Sequence, residues 1–282
     1  MQGFRNRGIW LMAIFKALTF DGVNSLSYGI YITGEAVYNA PERAVEMVTI
    51  PGKNGALALD QGRFENIEVT YRAGCFADSQ ADFAEKIRAF RNALASRYTY
   101  KRLTDGYNTD EYRMALYKSG LDADPVRYGT ASEFDITFEC KPQRFLTSGE
   151  TAYNFVTSYQ GLTNEDSVQL QTENGVDIEG GIGLANSIVN PTLFDSKPLI
   201  KVTGNGSVGI GSQLITVSGV SSSTVVYIDC ETMEIYTLSG GIASGASSHV
   251  SFNSNDFPTI PPGTSGVSHT TAFEIIPRWW RI

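Results

Sequence analysis

The chain has 282 residues, with 22 Lys and Arg against 30 Asp and Glu and a formal net charge of −8. That length suits two domains of ordinary size, each able to bury its own core. The acidity speaks against non-specific nucleic-acid binding, which needs basic surface to displace counterions. Cys75, Cys140 and Cys230 form no CxxC pair and cannot all pair with one another, so neither a disulfide framework nor a zinc site is indicated. Buried small hydrophobes in a reducing compartment are expected.

At the N-terminus, Arg5 and Arg7 precede an apolar run, Ile9 to Phe15, that imitates a signal peptide. Lys16 interrupts the run and no A-x-A site follows, so the expectation is a domain starting near Met12, with Met12–Phe20 as its first strand and residues 1–11 as an extension. No other stretch reaches the length of a membrane span, so no membrane insertion is expected. Asp21-Gly22 reads as a hairpin turn between the strands within Phe15–Tyr31. Pro51-Gly52-Lys53-Asn54-Gly55 marks another turn, leading into Leu57 and Leu59 and then Ile67, Val69 and Tyr71 at period two.

Phe83, Ile87, Phe90 and Leu94 fall at spacings of four, three and four, which places them on one helical face. Asp78 or Ser79 is positioned to cap that helix. Glu133 to Cys140 then alternates, with Phe134, Ile136, Phe138 and Cys140 on one face and Glu133, Asp135, Thr137 and Glu139 on the other. Pro142 cannot donate to a ladder, so the strand pairing is expected to end there.

This segment is also a boundary in composition. Residues 1–145 hold 18 Lys and Arg and 18 Asp and Glu, whereas residues 146–282 hold 4 and 12. Residues 146–190 show few clear patterns beyond a short strand around Tyr153–Val156, and read as a connection or insertion. From Asn190-Pro191-Thr192 onward, short strands at Leu199–Val202, Val208–Ile210, Leu214–Val217, Val225–Ile228, Glu234–Tyr236 and Phe273–Ile276 are separated by Gly, Ser and Asn turns. That spacing predicts a β-sandwich.

The motifs that could carry chemistry lack their context. Gly204-x-Gly206-x-x-Gly209 matches a dinucleotide fingerprint, but Ser207–Val217 continues as strand, and the motif needs a helix there to meet the pyrophosphate. Asn205-Gly206 reads instead as a type I′ hairpin turn. His249 and His269 sit in Ser- and Gly-rich sequence without a nucleophile elbow or a second metal ligand at diagnostic spacing, so loop histidines are expected. Asp229, Glu231 and Glu234 could mimic a glycosidase pair, which requires two carboxyls across a sugar-sized cleft; acidic residues on a solvent face are commoner. No catalytic residue, cofactor site or metal site is assigned, and an enzyme is not expected. The terminal Pro277-Arg278-Trp279-Trp280-Arg281-Ile282 is the remaining unusual feature. Adjacent tryptophans in a strand point to opposite faces, so Trp279, Trp280 and Arg278 are candidates for an interface or a sugar platform.

In their order, FDGVNSLSYGIYI, IPGKNGAL, FDITFECKPQRFL, the NPT at Asn190, YIDCETMEIY, FPTIPPGTSGV and PRWWRI form a set. Together they resemble the distal tail protein (Dit) family of long-tailed, siphovirus-type bacteriophages and prophages. The resemblance runs from about Met12, with residues 147–190 matched least well. It implies a mainly β fold: residues 12–145 as a ring-forming, tail-tube-like β-sandwich or split barrel with one α-helix, and residues 191–282, joined by part of 146–190, as a galectin-like β-sandwich.

It further implies a structural virion protein at the phage tail tip, assembled in the bacterial cytoplasm. Its copies would form a homohexamer between the major tail tube protein and the tail-tip hub protein, with receptor-binding proteins as further partners. Genomic DNA would pass through the pore without specific binding. The alternative expectation is a carbohydrate-binding β-sandwich module that assists adhesion to the host surface. A glycoside hydrolase is the least favoured reading.

Overall fold

The computed structural model describes residues 16–33, 38–126, 129–155 and 187–282. The chain divides into two compact units between Phe145 and Leu146, and it is mainly β with one α-helix among the described residues. The expected extension at residues 1–11 and the start of the expected first strand lie outside the described residues.

The first unit contains β1 (Leu18–Phe20), β2 (Val23–Asn24), β3 (Ile30–Ile32), β4 (Arg43–Thr49), β5 (Ala56–Phe64), β6 (Ile67–Phe76), α1 (Gln80–Ala95), β7 (Lys101–Asp105), β8 (Glu111–Leu116) and β9 (Ala131–Leu146). Its main sheet runs in the order β2-β1-β7-β8-β9-β6-β3. Asp21 and Gly22 turn β1 into β2 with φ of 46° and 80°, the left-handed pair that a two-residue hairpin turn requires.

The spine of the sheet is the antiparallel ladder between β6 and β9, from Ile67 opposite Cys140 to Phe76 opposite Ala131. Alternation sends Val69, Tyr71 and Ala73 inward with Phe134, Ile136 and Phe138, and α1 packs Phe83, Ile87, Phe90 and Leu94 into the same core. Phe138 is fully buried among Phe20, Tyr117 and Tyr71, with ring centroids 5.1, 5.7 and 6.4 Å away. The helix begins at a reciprocal cap: Ser79 Oγ accepts from the Asp82 amide at 3.1 Å, and Asp82 Oδ2 accepts from the Asp78 amide at 3.0 Å.

Pro142 does not end β9, contrary to the expectation. The ladder with β6 stops at Cys140, because β6 begins at the facing Ile67, while β9 runs on to Leu146 beside β8. Pro142 lies beyond the last residue paired with β6, so it removes no hydrogen bond from that ladder.

The second unit holds β10 (Tyr153–Phe155), β11 (Ser187–Asn190), β12 (Leu199–Thr203), β13 (Gly206–Ile210), β14 (Gln213–Val217), β15 (Val225–Asp229), β16 (Glu234–Ser239), β17 (Ile242–Gly245), β18 (Val250–Phe252), β19 (Gly263–His269), β20 (Phe273–Ile276) and β21 (Trp280–Arg281). One sheet runs β10-β20-β12-β15-β16-β17 and the other β11-β19-β13-β14-β18. Ile200, Val202, Val226, Ile228 and Ile275 from the first share one core with Ile188, Val208, Ile210, Ile215 and Val217 from the second, which makes a β-sandwich. Within residues 146–190, β10 joins one sheet and β11 the other; residues 156–186 lie outside the described residues.

The Asn-Pro-Thr motif is built into this unit by its hydrogen bonds. Asn190 is buried, and its Nδ2 donates to the carbonyls of Phe194 and Ile260 while its Oδ1 accepts from the amide and hydroxyl of Thr192. All of its hydrogen-bonding capacity is satisfied, which is what makes burying an amide tolerable.

The expected hairpin turn at Asn205-Gly206 is corrected. β12 pairs with β15 and β20, whereas β13 pairs with β14 and β19, so the glycine-rich segment crosses from one sheet to the other. Asn205 holds the crossing by bonding both the amide and the carbonyl of Val220. A strand, not a helix, follows Gly206, and so the dinucleotide fingerprint lacks the helix N-terminus it needs.

Candidate functional site

The most conspicuous surface of the first unit is the β4–β5 hairpin. These two strands pair with each other and do not join the main sheet. Val45 lies opposite Asp60, Met47 opposite Ala58, Glu46 opposite Leu59 and Val48 opposite Leu57, so apolar side chains occur on both faces of the ribbon. Val45, Met47, Leu57 and Leu59 are all exposed, Met47 to 63%. The strand through Leu57 and Leu59 forms as its period predicts, but these side chains face solvent and not the core.

A lone two-stranded ribbon is marginally stable in water, and its two outer edges present unpaired backbone groups. Here the exposed Arg43–Asp60 ion pair, at 2.5 Å, clamps the base. The sequence pattern gave no sign of the partner strand Arg43–Thr49, in which Arg, Glu and Thr interrupt the apolar residues.

The C-terminal candidates separate in the second unit. Arg278 adopts a left-handed φ of 57° and makes a bidentate pair with Asp229, at 2.7 and 2.8 Å. Burial alone would raise the Asp229 carboxyl. The Arg278 guanidinium and the amides of Thr232 and Glu231 outweigh that and hold it below its ordinary value. Trp279 is 2% exposed and belongs to the sandwich core, so its ring is not available as a surface platform.

Trp280 turns the other way. Its ring stacks on Phe194 at 4.3 Å and its indole N–H donates to the carbonyl of Asp195. Of the trio, Trp280 alone combines partial exposure with an aromatic surface, and one of its faces is already covered.

The remaining sequence candidates are placed apart. His249 Nδ1 meets the Ser218 carbonyl at 3.1 Å, and His269 packs edge-on against Phe155 and close to Phe273. Asp229 is taken up by Arg278, Glu231 lies 3.7 Å from Lys197, and Glu234 accepts from the Thr232 hydroxyl. All three cysteines are buried as free thiols. Burial pushes Cys140 and Cys230 up to about 12, so neither is a thiolate near neutral pH. Among the described residues no cluster of three His, Cys, Asp or Glu is placed to hold a metal ion, and no helix is long and apolar enough to cross a membrane.

A further charged group lies inside the first unit, unseen in the sequence. Glu111, Arg113 and Arg144 are all buried, Arg144 donates to Glu111 at 3.3 Å, and Arg113 donates to the Asn39 carbonyl. Burial, and then the neighbouring Arg144, lower the Arg113 pKa. β8 thus carries Glu111 and Arg113 on the same inward face as Ala115. Alternation alone would have assigned that face to apolar residues.

No protein-family model matches the chain, and no curated protein matches it. Solved structures do. The Dit protein of phage SPP1, described as a paradigm of the hub adsorption apparatus in phages infecting Gram-positive bacteria, aligns with a TM-score of 0.64 and 14% identity, over 92% of this chain and 96% of that one. Chains of the phage p2 baseplate in its activated conformation align with a TM-score of 0.52 at 11% identity with strontium, and 0.50 at 11% with calcium. They cover 95% and 93% of this chain, and 98% and 97% of their own. The likeness is one of fold: the described residues share the architecture of the SPP1 Dit protein.

Proposed function

We propose that the protein is a non-enzymatic distal tail component of a phage virion, whose copies close into a hexameric ring through the first unit. The ring would join the tail tube to the tail-tip hub protein and leave a passage for DNA. Assembly would take place in the bacterial cytoplasm. The observation that carries this reading is the β4–β5 hairpin. An isolated ribbon with apolar side chains on both faces and two open edges needs a neighbour, and a head-to-tail ring supplies one to every subunit. The shared fold supports it, as does the balanced charge of residues 1–145, since a strongly basic pore would retain the phosphate backbone.

Light scattering on the purified protein, with negative-stain images of the same fraction, tests the proposal. Hexameric rings are expected from the wild type, and smaller species from a Met47→Glu, Leu59→Glu double variant that keeps its circular dichroism. A wild type that stays monomeric at high concentration, or rings unaffected by the double variant, would overturn the role given to the hairpin.

A further inference from the structure

The outward face of the six-stranded sheet in the second unit carries a row of side chains that core packing does not explain. Strand pairing sets Asn154 on β10 opposite Glu274 on β20, Glu274 opposite Lys201 on β12, Lys201 opposite Tyr227 on β15, and Tyr227 opposite Tyr236 on β16. Their strand neighbours Phe155, Ile275, Ile200, Ile228 and Ile235 are buried, so alternation turns this row away from the core.

Two features make the row more than a solvated face. A cavity of about 300 Å³ opens along it, lined by Asn154, Lys201, Thr203, Tyr227 and Glu274 among others; that is the small end of the range of about 300–1,000 Å³ typical of ligand clefts. Tyr227 and Tyr236 stack in parallel, 5.1 Å apart with 5° between their planes. Since Tyr236 covers the β16 side of Tyr227, the other side is left toward β12 and the cavity.

The chemistry of the lining specifies the ligand. Asn154 both donates and accepts, Lys201 donates, Glu274 accepts, and the Tyr227 ring offers an electron-rich apolar face. A pyranose matches that set, with hydroxyl groups that donate and accept around its rim and an apolar C–H face. Lys201 Nζ and Glu274 Oε1 lie 2.5 Å apart, so the charges in the lining cancel. A lining with no net charge offers an anionic glycan no counter-ion, which favours an uncharged ligand.

We propose that this cavity binds an uncharged hexopyranose unit of a polysaccharide. The site goes beyond the hub role and does not rest on it. A ring that binds no sugar leaves the hub reading standing, and a sugar-binding monomer leaves this site standing.

Saturation-transfer NMR and calorimetry on the full chain test the proposal, with methyl glucoside, methyl galactoside, N-acetylglucosamine and glucose 6-phosphate as probes. Millimolar binding of at least one uncharged probe is expected. Asn154→Ala and Tyr227→Leu, each shown by thermal melting to be folded, should weaken it about tenfold, the worth of one good contact. Trp280→Phe should leave it unchanged. Absence of binding to every uncharged probe, or binding lost with Trp280 and kept without Asn154 and Tyr227, would overturn the site. Tighter binding of glucose 6-phosphate than of the uncharged probes would overturn the ligand class.

Discussion

Asp229 shows how one side chain ties a distant segment into a fold. Its carboxylate receives Arg278 in a bidentate fork and the amides of Glu231 and Thr232, so a half-turn of chain and the C-terminal segment are fixed by the same group. Its folded-state pKa lies below the ordinary 3.8. The stability it contributes is therefore fully present above the unfolded-state value and is lost as pH falls through the folded-state one. Asp229→Asn should cost about 2–3 kcal/mol at neutral pH, because it leaves a partly buried guanidinium short of its partner. In denaturant melts across the acid range, the wild type should lose stability more steeply than the variant below about pH 4.

The elements separate into those that build a core and those that leave it. Phe138 sits in the middle of β9 with three aromatic rings around it, so Phe138→Ala should cost about 3–5 kcal/mol. Ser79→Ala removes one cap from α1, a helix already pinned by four buried side chains, and should cost only about 1 kcal/mol. Chemical denaturation of the two variants checks the ratio; equal losses would mean that the cap matters as much to the fold as the buried ring, against the core-dominated reading. Both features were legible in the sequence, because the 4-3-4 spacing of Phe83, Ile87, Phe90 and Leu94 and the alternation of Glu133–Cys140 are local. The β4–β5 ribbon was half legible. Period two at Leu57 and Leu59 specifies a strand and its two faces, but not whether anything covers either face.

At the scale of the whole molecule, each unit has its own buried cluster, one around Phe138 and one around Ile200 and Ile228. A fragment of residues 1–145 should therefore unfold in one cooperative transition in denaturant, with a helical and β circular dichroism spectrum. A fragment with native-like far-ultraviolet signal but no cooperative transition would show that its core is incomplete without the rest of the chain. The same fragment, if folded, should retain the ring-forming property proposed for the hairpin, measured by light scattering.

The sequence by itself determined what depends on neighbours a few residues apart: the mainly β composition, the helix through Phe83–Leu94 and its cap, the turn at Asp21-Gly22, the change in character near residue 145, and the opposite facing of Trp279 and Trp280. Tertiary structure decided what depends on partners far along the chain. β12 and β13 are consecutive yet lie in different sheets, since their partners, β15 and β20 for one and β14 and β19 for the other, come from elsewhere. Arg278 finds Asp229, Trp279 enters the core, and Asn154, Glu274, Lys201, Tyr227 and Tyr236 align in one row only once the sheet is assembled. Periodicity fixes the direction of a side chain relative to its own backbone; which chain segment it meets is set by long-range pairing.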